Sequence, residues 1–284
     1  MGRIIEDILV STFILGGLYC LLALGFSLIW GVAKVMNLAH GGFYILTAYF
    51  IYSLLFAGLS IAIPISLVSI IIVSLVVYKL LIGPMHEKDM GAAVVTLGLV
   101  LMLQEIVNLV YGPEIKSIPY VVTGYVTILG VRVVSQKLLA GITAVALVAV
   151  LLIFIRRTKQ GKAIRAVAQN MEVARLVGIN ITRVVMMSMG ISALLAGLTA
   201  VLFAPVYVVS PTEWTILFRA FPVIILGGLG SLKGMLVASY MIAGIEYIVQ
   251  FTIGGGYIVP TITFFLMLMV LFVRPSGLFG HTTK

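Results

Sequence analysis

The stretch RRTKQGKAIRAVAQNMEVARLVGINITR, residues 156–183, decides how this chain is read. It carries Arg156, Arg157, Lys159, Lys162, Arg165, Arg175 and Arg183 against one acid, Glu172, in a sequence that is otherwise lipid-soluble. Apolar runs at 138–155 and 184–204 flank it. A basic segment between two membrane spans is retained in the cytoplasm, because Lys and Arg near span ends resist translocation. The rest of the topology follows from that assignment.

With 62% hydrophobic and 10% charged residues and a mean hydropathy of +1.24 over 284 residues, a water-soluble globule is excluded. Apolar runs lie at 8–33, 43–57, 61–82, 92–110, 138–155, 184–204, 215–229, 235–251 and 257–273. A transmembrane helix needs about 20 apolar residues, so we expect an all-α polytopic membrane protein with about eight or nine helices. The whole of 1–284 reads as one transmembrane domain, with 156–183 as a cytoplasmic loop and 111–137 as an external one. Much of the net charge of +9 lies in the basic loop. That places it beside two spans, as topology and a protein-docking surface rather than a nucleic-acid site. The single cysteine, Cys20, allows no intrachain disulfide and no thiolate metal site. Glu6 and Asp7 precede the first apolar run where a cleavable signal would be basic, so that run is expected to remain as a span.

Walking outward from the loop places 34–40, 86–89, Lys233, Arg274 and Lys284 inside, and 58–60, 111–137, 205–214 and 254–256 outside, together with the N-terminus. In the external segment Pro113, Pro119, Gly124 and Gly130 break any helix, while 120–128 favours short strands. It caps an outer mouth, or touches an external partner, or is a connector folded over the bundle.

Two glycine-rich stretches interrupt the apolar pattern: MNLAHGG at 36–42 and LGGLGSLKG at 226–234, the latter after Arg219 and Pro222. In lipid, irregular backbone survives only where protein or a water-filled cavity satisfies it. Such interruptions in both halves mark discontinuous helices around a central path, bordered by Asn37, His40, Gly41, Gly42, Gly227, Gly228, Gly230 and Ser231. Tight cytoplasmic turns would leave the same pattern. A short likeness between GFYILTAY (42–49) and GMLVASY (234–240) is one residue out of register.

Gln104 and Asn108 stand one helical turn apart, as do Glu246 and Gln250, so each pair shares a face directed into the bundle. Glu105 adjoins the first pair, and Arg219 falls at a depth where it can neutralise Glu246. These residues serve interhelical hydrogen bonding, or place an interfacial acid within reach of water, or contact substrate. His40, His86 and His281 lack metal-ligand spacing, and no metal site is implied.

No G-x-x-x-x-G-K-[ST] is present, the nearest text being the GKA at 161–163, so the chain hydrolyses no ATP through a P-loop of its own. No nucleophile-and-base set or HExxH argues for an intramembrane enzyme. Acids at mid-span are usual in ion-driven transporters; here the candidates, Glu105 and Glu246, are few and fall in the outer half of their spans, which favours an external energy source. The alternative is a self-contained channel or secondary transporter with internal repeats.

The basic loop is where that energy can enter. Asn170 is placed to cap a short helix that Gly178 stops, with Glu172 and Arg175 suited to the helix dipole. Val173, Ala174 and Val177 form its small or apolar face, and Met171, Glu172 and Arg175 its outward one. A loop resting on anionic headgroups would explain the charge but not the capped helix.

Glu172-x-Ala174-x-x-x-Gly178-Ile179 resembles the EAA---G coupling motif of bacterial and archaeal ABC importer permeases, with Val173 at its second position. GKAIRAVAQNMEVARLVGIN (161–180), NLAHGG (37–42), GGLGSLKG (227–234) and RPSGLFG (274–280) resemble the permeases of the branched-chain amino acid ABC importer family. The four patches cover nearly the whole chain in that family's order, and the length is similar to its shorter permease subunit. The resemblance implies a coupling element containing Arg165, Glu172, Ala174, Arg175 and Gly178, with 37–42 and 227–231 beside the translocation route. It implies a related permease as the other half, two cytoplasmic ATP-binding subunits, and an extracytoplasmic solute-binding protein. ATP and Mg would reside on the partners, with no cofactor on this chain, in a prokaryotic inner membrane. The solutes implied are branched-chain amino acids or other small polar solutes, amides and urea among them.

Overall fold

A computed structural model describes residues 2–85, 89–128, 130–207, 209–254, 256, 258–274 and 277–279. Expectations resting on His86, Lys88, Gly255, Tyr257, Pro275, Ser276, Gly280, His281 and Lys284 lie outside the described residues. The described chain forms helices α1 (Gly2–Ala33), α2 (Ala39–Ser53), α3 (Leu59–Val77), α4 (Asp89–Tyr111), α5 (Ser135–Arg157), α6 (Lys159–Gln169), α7 (Met171–Leu176), α8 (Ile181–Phe203), α9 (Ile216–Gly227), α10 (Leu232–Thr252) and α11 (Ile258–Val273).

Six of these, α1, α3 with the π-turn Tyr78–Ile82 that extends it, α4, α5, α8 and α10, are long and apolar enough to cross a membrane. The sequence leads us to expect about eight or nine transmembrane helices, the short members among them discontinuous; beside these six, three further apolar runs form helices too short to cross by themselves. The runs at 43–57, 215–229 and 257–273 become the shorter α2, α9 and α11, of 15, 12 and 16 residues. At 1.5 Å per residue these reach about 22, 18 and 24 Å, short of a hydrocarbon core of about 30 Å. An apolar run does not show where the backbone leaves the helix: residues 54–57 are already a turn and a 3₁₀ segment, and Gly228 ends α9 with φ +85°.

Helix α1 is the axis of the bundle, packing against α5, α8, α9 and α10. Leu18 to Leu24 are all essentially inaccessible, as expected of a helix hydrophobic on every side. The outer helices carry exposed apolar stripes instead, Ile61, Ile65, Val68, Ile72 and Val76 on α3 and Phe265, Leu268, Met269 and Phe272 on α11. Those faces suit lipid. Two buried hydroxyls of α8 bond to their own helix: Ser188 donates to the Val184 carbonyl and Thr199 to that of Leu195. The related-looking stretches 42–49 and 234–240 lie in the short α2 and the long α10, so they are not equivalent elements.

At the end of the bundle opposite α6 and α7, strands β1 (Tyr125–Ile128) and β2 (Val131–Val134) form an antiparallel hairpin with Tyr125 paired to Val134. The Gln136 side chain accepts the Val121 and Val122 N–H groups at 3.1 and 3.3 Å, and Lys116 pairs with Val209. The segment 111–137 is therefore tied down on the bundle, and its strands occupy 125–134 rather than 120–128.

Candidate functional sites

The basic stretch folds into two helices, of which sequence reasoning found one. Thr158 caps α6, its hydroxyl accepting the Gly161 N–H at 2.9 Å, and Gly161, Ile164 and Val167 are buried on one face. That amphipathic spacing is carried by residues 161, 164 and 167 of the sequence itself. Asn170 caps α7 through its Oδ1, 3.0 Å from the Val173 nitrogen. At the other end Gly178 has φ +83°, with its N–H on the Arg175 carbonyl and the Ile179 N–H on that of Ala174, both at 3.0 Å. This paired closure satisfies the last carbonyls of the helix. The outward face differs from expectation: Ala174 is buried and Met171 half-buried, while Val173, Leu176 and Val177 stand exposed beside Glu172 and Arg175. Six residues give too few turns for a clean two-faced helix, and only the Ala174 side meets the bundle. Arg165 and the other six basic residues of 156–183 are likewise exposed.

Residues 34–38 form no helix; Lys34 turns the chain with φ 57°. The Thr96 hydroxyl of α4 accepts the Leu38 N–H at 3.1 Å and lies within donating distance of the Met36 carbonyl at 3.2 Å. A side chain from another helix thus satisfies irregular backbone inside the bundle. Thr96 was not singled out from the sequence, where a lone Thr in an apolar run carries no mark. Helix α2 then starts deep: His40 Nδ1 lies 3.0 Å from Ser192 Oγ, at the midpoint of α8. Gly41 approaches the start of α9 so closely that a Cβ on it would sit 2.6 Å from the Trp214 carbonyl oxygen. Asn37, His40, Gly41 and Gly42 are all buried within the protein. Residues 34–38 are thus a non-helical break between α1 and α2, and α2 starts among buried residues.

The second interruption is a turn between α9 and α10. Gly228 and Gly230 both have positive φ, Ser231 caps α10 through the Gly234 N–H, and the Gly230 N–H reaches Ser27 of α1 at 3.1 Å. Gly227 and Gly234 meet backbone to backbone, leaving no room for a Cβ on either. Gly227 and Gly228 are buried, Gly230 is exposed and Ser231 half-buried.

Residues 8–273 match the family described as branched-chain amino acid transport system, permease component. The chain belongs to this family. The permease is 26% identical to the high-affinity branched-chain amino acid transport system permease protein LivH of Salmonella typhimurium, over 94% of this chain and 92% of that one. It is 28% identical to the corresponding protein BraD of Pseudomonas aeruginosa, over 96% and 95%. A probable branched-chain amino acid transport permease protein LivH of Methanocaldococcus jannaschii is 26% identical over 98% and 93%. No solved structure matches.

The polar residues of the permease fall into two groups. On α4, Gln104 bonds to Glu105 at 3.0 Å and accepts the Trp214 indole N–H; Glu105 itself is exposed, and Asn108 is half-buried. Glu246 and Gln250 of α10 share a face and line one cavity with Arg219. Glu246 accepts a hydrogen bond from Tyr19 at 2.8 Å, and the Thr263 hydroxyl lies within donating distance of it at 3.3 Å. Neutralisation of Glu246 by direct pairing with Arg219 does not occur: the only ion pair among the described residues is Lys116–Glu114. Arg219 also acts on the half-buried Glu213, whose carboxyl is pushed up by burial and pulled down by that guanidinium.

Proposed function

We propose that this permease forms one half of the membrane pathway of an ATP-driven importer in the prokaryotic inner membrane, and that α7 transmits motion from cytoplasmic ATP-binding subunits. The observation that carries the reading is the exposed end of α7. A helix capped at both termini holds Leu176 86% and Val177 71% exposed between Glu172 and Arg175, on a loop of exposed basic residues. An exposed apolar centre rimmed by charge is the layout of a protein interface, and such a patch calls for a covering partner. A related permease completes the pathway, an extracytoplasmic binding protein supplies solute, and ATP and Mg are held by the partners. Similarity to branched-chain amino acid permeases makes leucine, isoleucine and valine the first solutes to test.

Leu176→Asp places a charge at the centre of that tip without touching the bundle. The altered permease should insert normally yet lose co-purifying ATP-binding subunits and uptake of labelled leucine. Full recovery of those subunits with the variant would remove the coupling role.

A further inference from the structure

A cavity of about 310 Å³ lies between α1, α9, α10 and α11. That is the lower end of the range for small-molecule sites. Two opposite charges face it without meeting. Glu246 is held on one side by Tyr19, which donates to one carboxylate oxygen, while the Thr263 hydroxyl lies within donating distance of the other and of the Val259 carbonyl. An ionised carboxylate has acceptor capacity for further donors. Arg219, from the first turn of α9, lines the same space, and among the described residues its guanidinium makes no hydrogen bond or ion pair. A structural pair would have closed to contact distance. Here the cavity lies between the buried Glu246 and the exposed Arg219, and a charge on a buried carboxylate is costly unless something complements it.

The remaining wall narrows the chemistry. Leu15, Val259, Pro260 and Phe264 supply an apolar side. We propose that this cavity binds an apolar α-amino acid as its zwitterion, the ammonium group against Glu246, the carboxylate against Arg219, and the side chain against Val259 and Phe264. Arg suits the carboxylate because its planar fork binds two oxygens at once. The placement fits delivery from outside. Gly256, in the connection between α10 and α11 at the hairpin end of the bundle, forms part of the rim. Arg219 and Gln250 are exposed there, where a lipid-facing surface would exclude them. The opening therefore faces water or the partner permease, and the solute path runs along α9 and α10 rather than through the packed interior at 37–42.

This inference rests on the importer reading, and its test separates the two. The complete importer is assembled in nanodiscs without binding protein, and equilibrium binding of labelled leucine is measured. Leucinamide, which lacks the carboxylate, and 4-methylpentanoate, which lacks the ammonium group, serve as competitors. Wild type should bind leucine, with both competitors at least tenfold weaker. Arg219→Gln should weaken leucine binding at least tenfold, and Arg219→Lys less than that. Glu246→Gln keeps the shape and the Tyr19 contact and should also lose tenfold or more. Should that variant fail to assemble, Arg219→Gln decides, since its side chain holds no other element. Absence of leucine binding by wild type, equal competition by both analogues, or unchanged affinity in Arg219→Gln overturns the site. Absence of ATP-binding subunits from the purified wild-type complex overturns instead the importer reading.

Discussion

Gly41 and Gly98 are both helical glycines with opposite surroundings. A Cβ on Gly41 would meet the Trp214 carbonyl oxygen at 2.6 Å and the Leu217 Cβ at 3.1 Å, whereas nothing lies within 4 Å of one on Gly98. Backbone cannot yield as a flexible side-chain end can. Gly41→Ala should therefore force α2 away from α9 at a cost of about 1–3 kcal/mol, the usual penalty of overpacking. Gly98→Ala should be neutral or stabilise by up to about 1 kcal/mol through helix propensity. Thermal unfolding in detergent checks the pair, and equal melting temperatures would contradict the packing described. Thr96 is a second such position. Thr96→Val deprives the Leu38 N–H of its acceptor, which should cost about 1–3 kcal/mol, and Thr96→Ser should restore most of it.

At the scale of elements, α7 depends on its two ends more than on its six residues. A helix that short has no stability of its own, so the Asn170 cap and the Gly178 closure hold it. Leu at position 178 would have to adopt φ near +83°, a strain of about 1–3 kcal/mol, while Asn visits that region readily. Gly178→Leu should therefore lower ATP hydrolysis coupled to uptake several-fold and Gly178→Asn should keep most of it. Equal coupling in the two variants would mean that the left-handed closure is dispensable. The glycines of the α9–α10 turn need a different experiment. Positive φ at Gly228 and Gly230 makes any bulky substitution strained there whether or not solute passes, so such variants do not discriminate between path and turn.

For the whole molecule, orientation rests on the asymmetry of basic residues about the spans. Lys162→Cys on exposed α6 and Glu114→Cys in the hairpin segment, each in a Cys20→Ala background, report the two ends. Glu114 is chosen because its side chain is 82% exposed, whereas that of the neighbouring Lys116 is only 16%. An impermeant thiol reagent added to intact cells should label position 114 and spare 162; the reverse pattern would invert the topology. The membrane class, the α7 helix and both of its caps were legible in the residues because each rests on composition or on neighbours a few positions apart. The Asn37–Gly42 and Gly227–Ser231 interruptions were visible as breaks, but their geometry was not: one is buried throughout its glycines, and the other is a turn with Gly227 and Gly228 buried and Gly230 exposed. The cavity was hidden altogether, since Tyr19 reaches Glu246 across 227 residues of sequence and Thr263 joins them from a third helix. Helices that are apolar on nearly every side carry no pattern naming their neighbours. Which polar residues meet inside the bundle, and which are left facing an open space, was decided only when those helices packed.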